Sequence, residues 1–201
     1  RTIRAFLATD AVTQIATVIH PDHAARYDQL ALADARLLPP VHGALTRQGS
    51  VLAGLKALAP LQPDLVLIQD AARPFATPAL IERVIAALRQ NDGALPTLPV
   101  TDTIKRSPDG TLVATTEDRR QLFAAQTPQG FRFGQIFSAH MRAETVRRDF
   151  TDDAEIAEWA GLNVAMVEGE RNNIKITHPE DFSRAERIIM ADHGTETRIG
   201  T

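Results

Sequence analysis

The sequence contains no cysteine. That excludes disulfides, thiolate metal sites and a cysteine nucleophile, and it accords with a reducing, cytoplasmic setting. It has no excess of basic charge: 22 Lys and Arg stand against 25 Asp and Glu, a net charge of -3. No global positive field favours nucleic acid or an anionic membrane, so neither is expected as a partner. No apolar run approaches the length of a bilayer span, and the opening RTIRAFLATD lacks the apolar core of a signal peptide. The six histidines show no metal-ligand spacing: His20 and His23 lie close together beside Pro21, without a third candidate. G-x-S-x-G, H-E-x-x-H and P-loop patterns are missing, as are internal repeats and low-complexity tracts. Aromatic residues make up only 5%. Trp159 and Phe182 fall at helical spacing and read as core rather than as stacking platforms.

What is present is an ordinary globular composition, 44% hydrophobic and 23% charged over 201 residues. That suffices for one domain with a sizeable core. Apolar periodicity alternates between strand-like and helix-like segments. Arg1 to Leu7 reads as a helix, and Gln14 to Ile19 as a β-branched strand halted at Pro21. Ser50 to Leu58 is helical, with Val51, Leu52, Leu55 and Leu58 at core spacing. Asp64 to Ile68 is a continuous apolar run, as in a strand buried on both faces. Pro78 to Leu88 reads as a helix with proline near its start, and Gly93 to Leu98 as a strand. Thr103 to Arg106 and Thr111 to Thr116 flank the turn Ser-Pro-Asp-Gly and are polar on both sides, so they read as an arm leaving the sheet. Helices are expected over Phe133 to Val146, Thr151 to Trp159 and Pro179 to Met190, and strands over Asn163 to Val167 and Asn173 to Thr177. This alternation argues for an α/β layered fold with a mostly parallel sheet. Ligands in such sheets bind at the carboxyl ends of strands.

Several polar clusters fall at or near such ends. In Gln69-Asp70-Ala71-Ala72-Arg73-Pro74-Phe75 an acid and an arginine follow the apolar strand directly. Asp70 could hold Mg²⁺, Arg73 could meet a phosphate with its planar fork, and the alanines would let backbone approach a ligand. The alternative is an Asp–Arg pair that fixes a turn. Arg47-Gln-Gly49-Ser50 opens a helix, where free N–H groups favour anions or polar bases; the alternative is that Ser50 or Thr46 caps the helix. Lys175, between Ile174 and Ile176, is either a solvated lysine or an inward charge for an anion. Asp152 with Glu155 resembles a capping box.

Read in order, Thr46-Arg-Gln-Gly-Ser-Val-Leu-Ala-Gly-Leu55, Asp70-Ala-Ala-Arg-Pro74, Pro99-Val-Thr-Asp-Thr-Ile-Lys105, Gln126-Thr-Pro-Gln129 and Asn173-Ile-Lys-Ile-Thr177 resemble the 2-C-methyl-D-erythritol 4-phosphate cytidylyltransferase family over residues 1 to about 190. The resemblance implies a Rossmann-like, mostly parallel layered sheet with a projecting β-arm at about residues 100–123, within a domain spanning 1–192. It implies a Mg²⁺-dependent attack of methylerythritol phosphate on the α-phosphorus of CTP, with release of pyrophosphate and no covalent enzyme intermediate. Carried onto this chain, it implies that Lys175 and Arg73 are catalytic and that Asp70 places the metal. Arg47, Gly49, Ser50, Asp70 and Ala71 would line the nucleotide site. Thr103, Thr127, Thr151 and Asp152 would hold the alcohol phosphate, joined by Arg119 of Glu117-Asp-Arg-Arg-Gln-Leu122 from a homodimer partner, through the arm.

The resemblance also implies a strand and a glycine-rich loop ahead of Arg1, since the chain opens at what resembles the following helix. Residues 193–201 read as a linker or the start of a second domain. Thr197-Arg-Ile-Gly-Thr201 looks like the first strand of methylerythritol cyclodiphosphate synthase, as in fused bifunctional enzymes. Two alternatives remain open: a cytidylyltransferase for another polyol phosphate such as ribitol 5-phosphate, and a catalytically inactive nucleotide-binding dimerisation module.

Overall fold

The computed structural model of the chain describes residues 1–196, so the resemblance over Thr197 to Thr201 lies outside the described residues. Helix α1 (Thr2–Leu7) leads to strand β1 (Val18–Ile19), helix α2 (Ala24–Asp28), strand β2 (Val41–His42) and helix α3 (Arg47–Leu58). Strand β3 (Leu65–Ile68), helix α4 (Pro78–Ala87) and strand β4 (Gly93–Pro99) follow. The arm carries β5 (Lys105–Arg106) and β6 (Thr115–Thr116). Strands β7 (Phe123–Ala125) and β8 (Gln129–Arg132) precede helices α5 (Phe133–Ala143) and α6 (Asp153–Trp159). Strand β9 (Val164–Glu168) and helix α7 (Pro179–Glu196) complete the order.

The fold is layered α/β. In the main sheet β8 pairs antiparallel with both β3 and β4, and β4 pairs parallel with β9. Strands β3, β4 and β9 therefore point the same way, with the reversed β8 inserted between the first two. Strand β7 continues the reversed path on β4. Between the two registers, Gln126 to Gln129 oppose only Leu95 and Pro96, a bulge that includes the cis Thr127–Pro128 peptide. Strands β1 and β2 form a separate parallel pair. Among the described residues β3 pairs with β8 alone, and a cleft of about 810 Å³ lies between its far side, β1 and α3.

Two apolar layers hold the sheet. Leu55 of α3, Val66 and Ile68 of β3, Phe131 of β8, Phe133, Ile136 and Ala139 of α5 and Ile156 of α6 form one buried cluster. Val84 and Leu88, on and just after α4, pack with Ala94 on the other side. Trp159 packs against the first cluster as expected. Phe182 does not join the core: it is 61% exposed on α7, because that helix turns Ala185, Ile188 and Ile189 toward Phe75 and Ile174 instead.

Three expectations need correction. The β-branched run Gln14 to Ile19 is a strand only at its end; Ile15 forms an isolated bridge to Leu37. Asn173 to Thr177 joins no ladder among the described residues; its Ile176 N–H is donated to the Ala72 carbonyl (2.8 Å) of the strand-end loop. The final helix runs on through Glu196 rather than ending at Met190.

Candidate active site

Asp70 stands two residues beyond the end of β3, and its backbone N–H donates to the Thr127 hydroxyl (3.1 Å). The bulge that carries Thr127 thus clamps the strand end. Asn173 fastens the third segment: wholly buried, it donates to the Thr127 carbonyl (2.8 Å). With Asn173 fixed, Ile174 turns into the core and Lys175 projects the opposite way. Its Nζ reaches the Asp70 carboxylate at 2.9 Å. Lys175 thus turns to the strand-end carboxylate, although the segment is not a strand.

Arg47 comes from the first turn of α3. Its Nε and Nη2 both lie 3.2 Å from Asp70 Oδ1, and Nη2 lies 2.8 Å from Asp153 Oδ2. Burial raises the carboxyl pKa of Asp70, but the Lys175 hydrogen bond and the Arg47 charge outweigh it and hold the group below the usual carboxylate range. Burial likewise works against the Arg47 cation, yet Asp153 and Asp70 overcome it and push its pKa up. The carboxylate at the strand end is thus held ionised between two cations, one of them 43% exposed.

Arg73 differs from its expected pairing. Its backbone N–H donates to the Asp70 carbonyl and closes a turn, but its guanidinium donates to the carbonyls of Asn173 (2.8 Å) and Ala125 (3.2 Å). It ties the loop, the bulge and the Lys175 segment together. Burial lowers its pKa, and its Nε is buried without a hydrogen-bond partner.

At the helix start, both sequence readings have a counterpart. Thr46 caps α3 by accepting the Gly49 N–H (3.0 Å). Ser50 donates to the Thr46 carbonyl (2.9 Å) and accepts the Ala44 N–H (3.0 Å), bracing the preceding loop. A Cβ on Gly49 would come within 2.8 Å of Ala44 Cβ, so only glycine lets that loop lie so close. Ser50, Arg47, Asp70 and Ala71 all line the cleft.

The remaining candidates spread outward. Asp152 caps α6, accepting the Glu155 N–H (2.8 Å) and the Gln129 amide (2.7 Å), so both its oxygens are engaged. Thr151 is exposed and donates its N–H (2.7 Å) and hydroxyl (2.9 Å) to Glu155. Thr103 and Arg119 are exposed on and beside the arm. Among the described residues neither bonds to the Asp70 cluster; Arg119 donates to the Thr101 carbonyl.

Sequence reasoning missed Asp153, His140, Gln126 and Asn173. Asp153 and His140 are wholly buried and lie 3.1 Å apart. Position gave a signal for His140: it follows Phe133 and Ile136 on the inward face of α5, where a polar side chain requires a partner.

The donor set at Asp70 bears on a metal. Among the described residues no group of three or more His, Asp or Glu forms a protein cage. A lone strand-end carboxylate suits Mg²⁺, which keeps several waters and is commonly held by one or two carboxylates plus substrate phosphates. No helix among the described residues is long and apolar enough to cross a membrane.

Comparison with known proteins agrees with this geometry. The model of the 2-C-methyl-D-erythritol 4-phosphate cytidylyltransferase family matches residues 1–191. The chain is 51% identical to a bifunctional enzyme IspD/IspF of Nitrobacter hamburgensis and 50% identical to one of Rhodopseudomonas palustris, in each case over 100% of the chain and 50% of the relative. It thus spans about half the length of those relatives. Among solved structures, 4-diphosphocytidyl-2C-methyl-D-erythritol synthase from Anaerococcus prevotii superposes with a TM-score of 0.87 at 32% identity, covering 94% of this chain and 87% of that one. The 2-C-methyl-D-erythritol 4-phosphate cytidylyltransferase from Thermus thermophilus does so with 0.77 at 33% identity, covering 93% and 85%. With the family model matched over residues 1–191, the chain belongs to the 2-C-methyl-D-erythritol 4-phosphate cytidylyltransferase family.

Proposed function

We propose that the chain transfers a cytidylyl group from CTP to 2-C-methyl-D-erythritol 4-phosphate and releases pyrophosphate, in isoprenoid biosynthesis. The observation that carries this reading is the convergence of Arg47, Asp70 and Lys175 from three distant segments, with Arg47 and Asp70 lining one cleft and Lys175 paired to Asp70. A scaffold has no need for such a concentration of charge.

The transfer joins a phosphate oxygen to the α-phosphorus of the nucleotide as the bond to pyrophosphate breaks. It asks the protein for alignment and charge neutralisation rather than for a covalent group. The start of α3, with Arg47 and Ser50 lining the cleft, offers a pocket wall on which the cytidine can rest. Lys175, paired with Asp70 when no phosphate is present, carries the mobile positive charge that turns to the α-phosphate. Arg73 acts by holding the loop and the Lys175 segment in register. Asp70, at the strand end, is the group that would hold Mg²⁺ together with nucleotide phosphate. When bound, the ion supplies positive charge to the phosphate oxygens.

The alcohol phosphate would then lie toward Thr127 and Thr151, closed over by Arg119 from a partner subunit. We further propose that the whole polypeptide carries a second catalytic domain, as the bifunctional relatives do, and works in the cytoplasm. Pyrophosphate release, measured on the natural full-length polypeptide with CTP, Mg²⁺ and each alcohol phosphate, tests the reading. Turnover is expected with methylerythritol phosphate. Equal or faster turnover with ribitol 5-phosphate would replace the substrate, and CTP binding without any release would leave an inactive module.

A further inference from the structure

Behind the Asp70 cluster runs a line of alternating charge that ends deep in the core. Lys175 meets Asp70, Asp70 meets Arg47, Arg47 meets Asp153, and Asp153 meets His140. Each link comes from a different part of the fold: the extended 173–177 segment, the end of β3, α3, α6 and α5. Its outer end is open, with Lys175 43% and Arg47 36% exposed, and its inner end, Asp153 and His140, is wholly buried.

Asp153 is the hinge of this line. Its Oδ2 accepts from Arg47 and its Oδ1 lies 3.1 Å from His140 Nε2. A carboxylate here can only accept, so Nε2 carries the hydrogen of that contact. His140 Nδ1 is buried and has no hydrogen-bond partner. A polar atom left unpaired in a core is costly, and nothing in the packing of α5 requires a histidine. Ile136, Ala139 and Ala143 fill the same inward face with aliphatic groups. What histidine adds is one donor, aimed at the oxygen of Asp153 that Arg47 does not use.

We propose that His140 and Asp153 are positioning residues that fix the Arg47 guanidinium, and through it the orientation of the Asp70 carboxylate. Arg47 stands between two carboxylates, so its place depends on how firmly each is held. Asp70 is held from outside by Lys175, which must be free to leave. Asp153 therefore has to be the fixed post, and His140 Nε2 keeps its carboxylate from rotating. The pair touches no substrate and acts only through Arg47. The proposal rests on the cytidylyl-transfer reading for its kinetic readout alone.

The test compares His140→Gln, whose side-chain amide reaches the position of Nε2, with His140→Leu and His140→Asn, whose groups do not. Turnover and KM are measured alongside the Arg47 Nε–H resonance in a ¹H–¹⁵N correlation spectrum of the full polypeptide. The Leu variant is expected to lose at least about tenfold in kcat, as small misplacements of reacting groups do, with the Arg47 resonance broadened by exchange. The Gln variant is expected to restore both. If the Leu variant does not fold, Asn against Gln decides, with Asn impaired and Gln not. An unchanged Arg47 resonance in Leu or Asn, equal activity of Asn and Gln, or a Gln variant that is misfolded or as impaired as the others overturns the proposal. A wild-type chain without transferase activity would instead overturn the proposed function, while the Arg47 resonance would still decide the role of His140.

Discussion

Lys175 reaches Asp70 from a segment with no ladder of its own, held by Asn173 on one side and by the Ile176 N–H on the other. Its loss should therefore leave the core intact and fall on the chemistry. Lys175→Ala is expected to lower kcat by about 100- to 1,000-fold, the usual cost of one preorganised donor to developing charge, with an unchanged thermal midpoint. Steady-state kinetics and a melting curve check both, and a rate within twofold of wild type would remove Lys175 from the reaction. Glu155 shows the opposite kind of carboxylate, one that serves the fold. The Thr151 N–H, Arg148 and the Thr151 hydroxyl hold its pKa down at about 2, against an ordinary 4.5. Because the folded value is the lower one, its stabilisation is present in full above the ordinary value and fades as pH falls toward about 2. Glu155→Gln should therefore melt earlier than wild type at neutral pH, and the two midpoints should converge near pH 2. A difference that stays constant down to that pH would contradict the assignment. At this scale the sequence was informative wherever a residue type implied a geometry. Asp70 after an apolar strand and Lys175 between two isoleucines both marked the site. Asp153 was hidden because its partners, Arg47 and His140, lie far away in sequence, and spacing carries no information about such contacts.

Among the elements, those with strong local signals formed as expected: β3 from its apolar run, α4 behind its proline, and β4 and β9 as strands. The reversed path of β7 and β8 gave no such signal. Gln126, Thr127, Pro128, Gln129 and Gly130 read locally as a turn, and only the ladders to β3 and β4 make strand of the flanks. The same residues carry the bulge that clamps Asp70, so a locally weak strand positions the site. Gly130 shows why its composition is so unfavourable to a strand. A Cβ there would sit 2.7 Å from Val84 Cγ1 and 3.0 Å from side-chain carbons of Leu67 and Leu88. Glycine lets α4 lie directly on β8. Gly130→Ala should destabilise the fold by about 1–3 kcal/mol through overpacking, read as a lower urea midpoint, and a midpoint equal to wild type would show that α4 shifts freely.

The whole molecule leaves its arm uncovered. Leu112 and Val113 are 74% and 63% exposed between β5 and β6, and Phe123, where the arm rejoins the sheet, is also open. Apolar side chains on so thin a projection have no core of their own chain to enter. Arg119 stands beside them, with no bond to the Asp70 cluster among the described residues. A dimer in which each arm crosses to the other subunit would cover the apolar groups and bring Arg119 to a partner's site. Each site would then be built from two chains, with Lys175 from one and Arg119 from the other. In that arrangement Arg119→Ala should chiefly raise KM for the alcohol phosphate, since its charge meets that substrate and not the nucleotide. Dimers mixed from Arg119→Ala and Lys175→Ala chains would contain one site with both defects and one with neither. Co-refolding the two impaired variants in equal amounts, assayed at an alcohol-phosphate concentration far below the KM of Arg119→Ala, should give half of the dimers as hybrids, and so about a quarter of the wild-type activity per site if subunits exchange at random. Size-exclusion chromatography with light scattering would establish the dimer, and the pyrophosphate assay would read the recovery. A mixture no more active than its parents would mean that Arg119 and Lys175 serve the same chain's site and that the arm has another purpose.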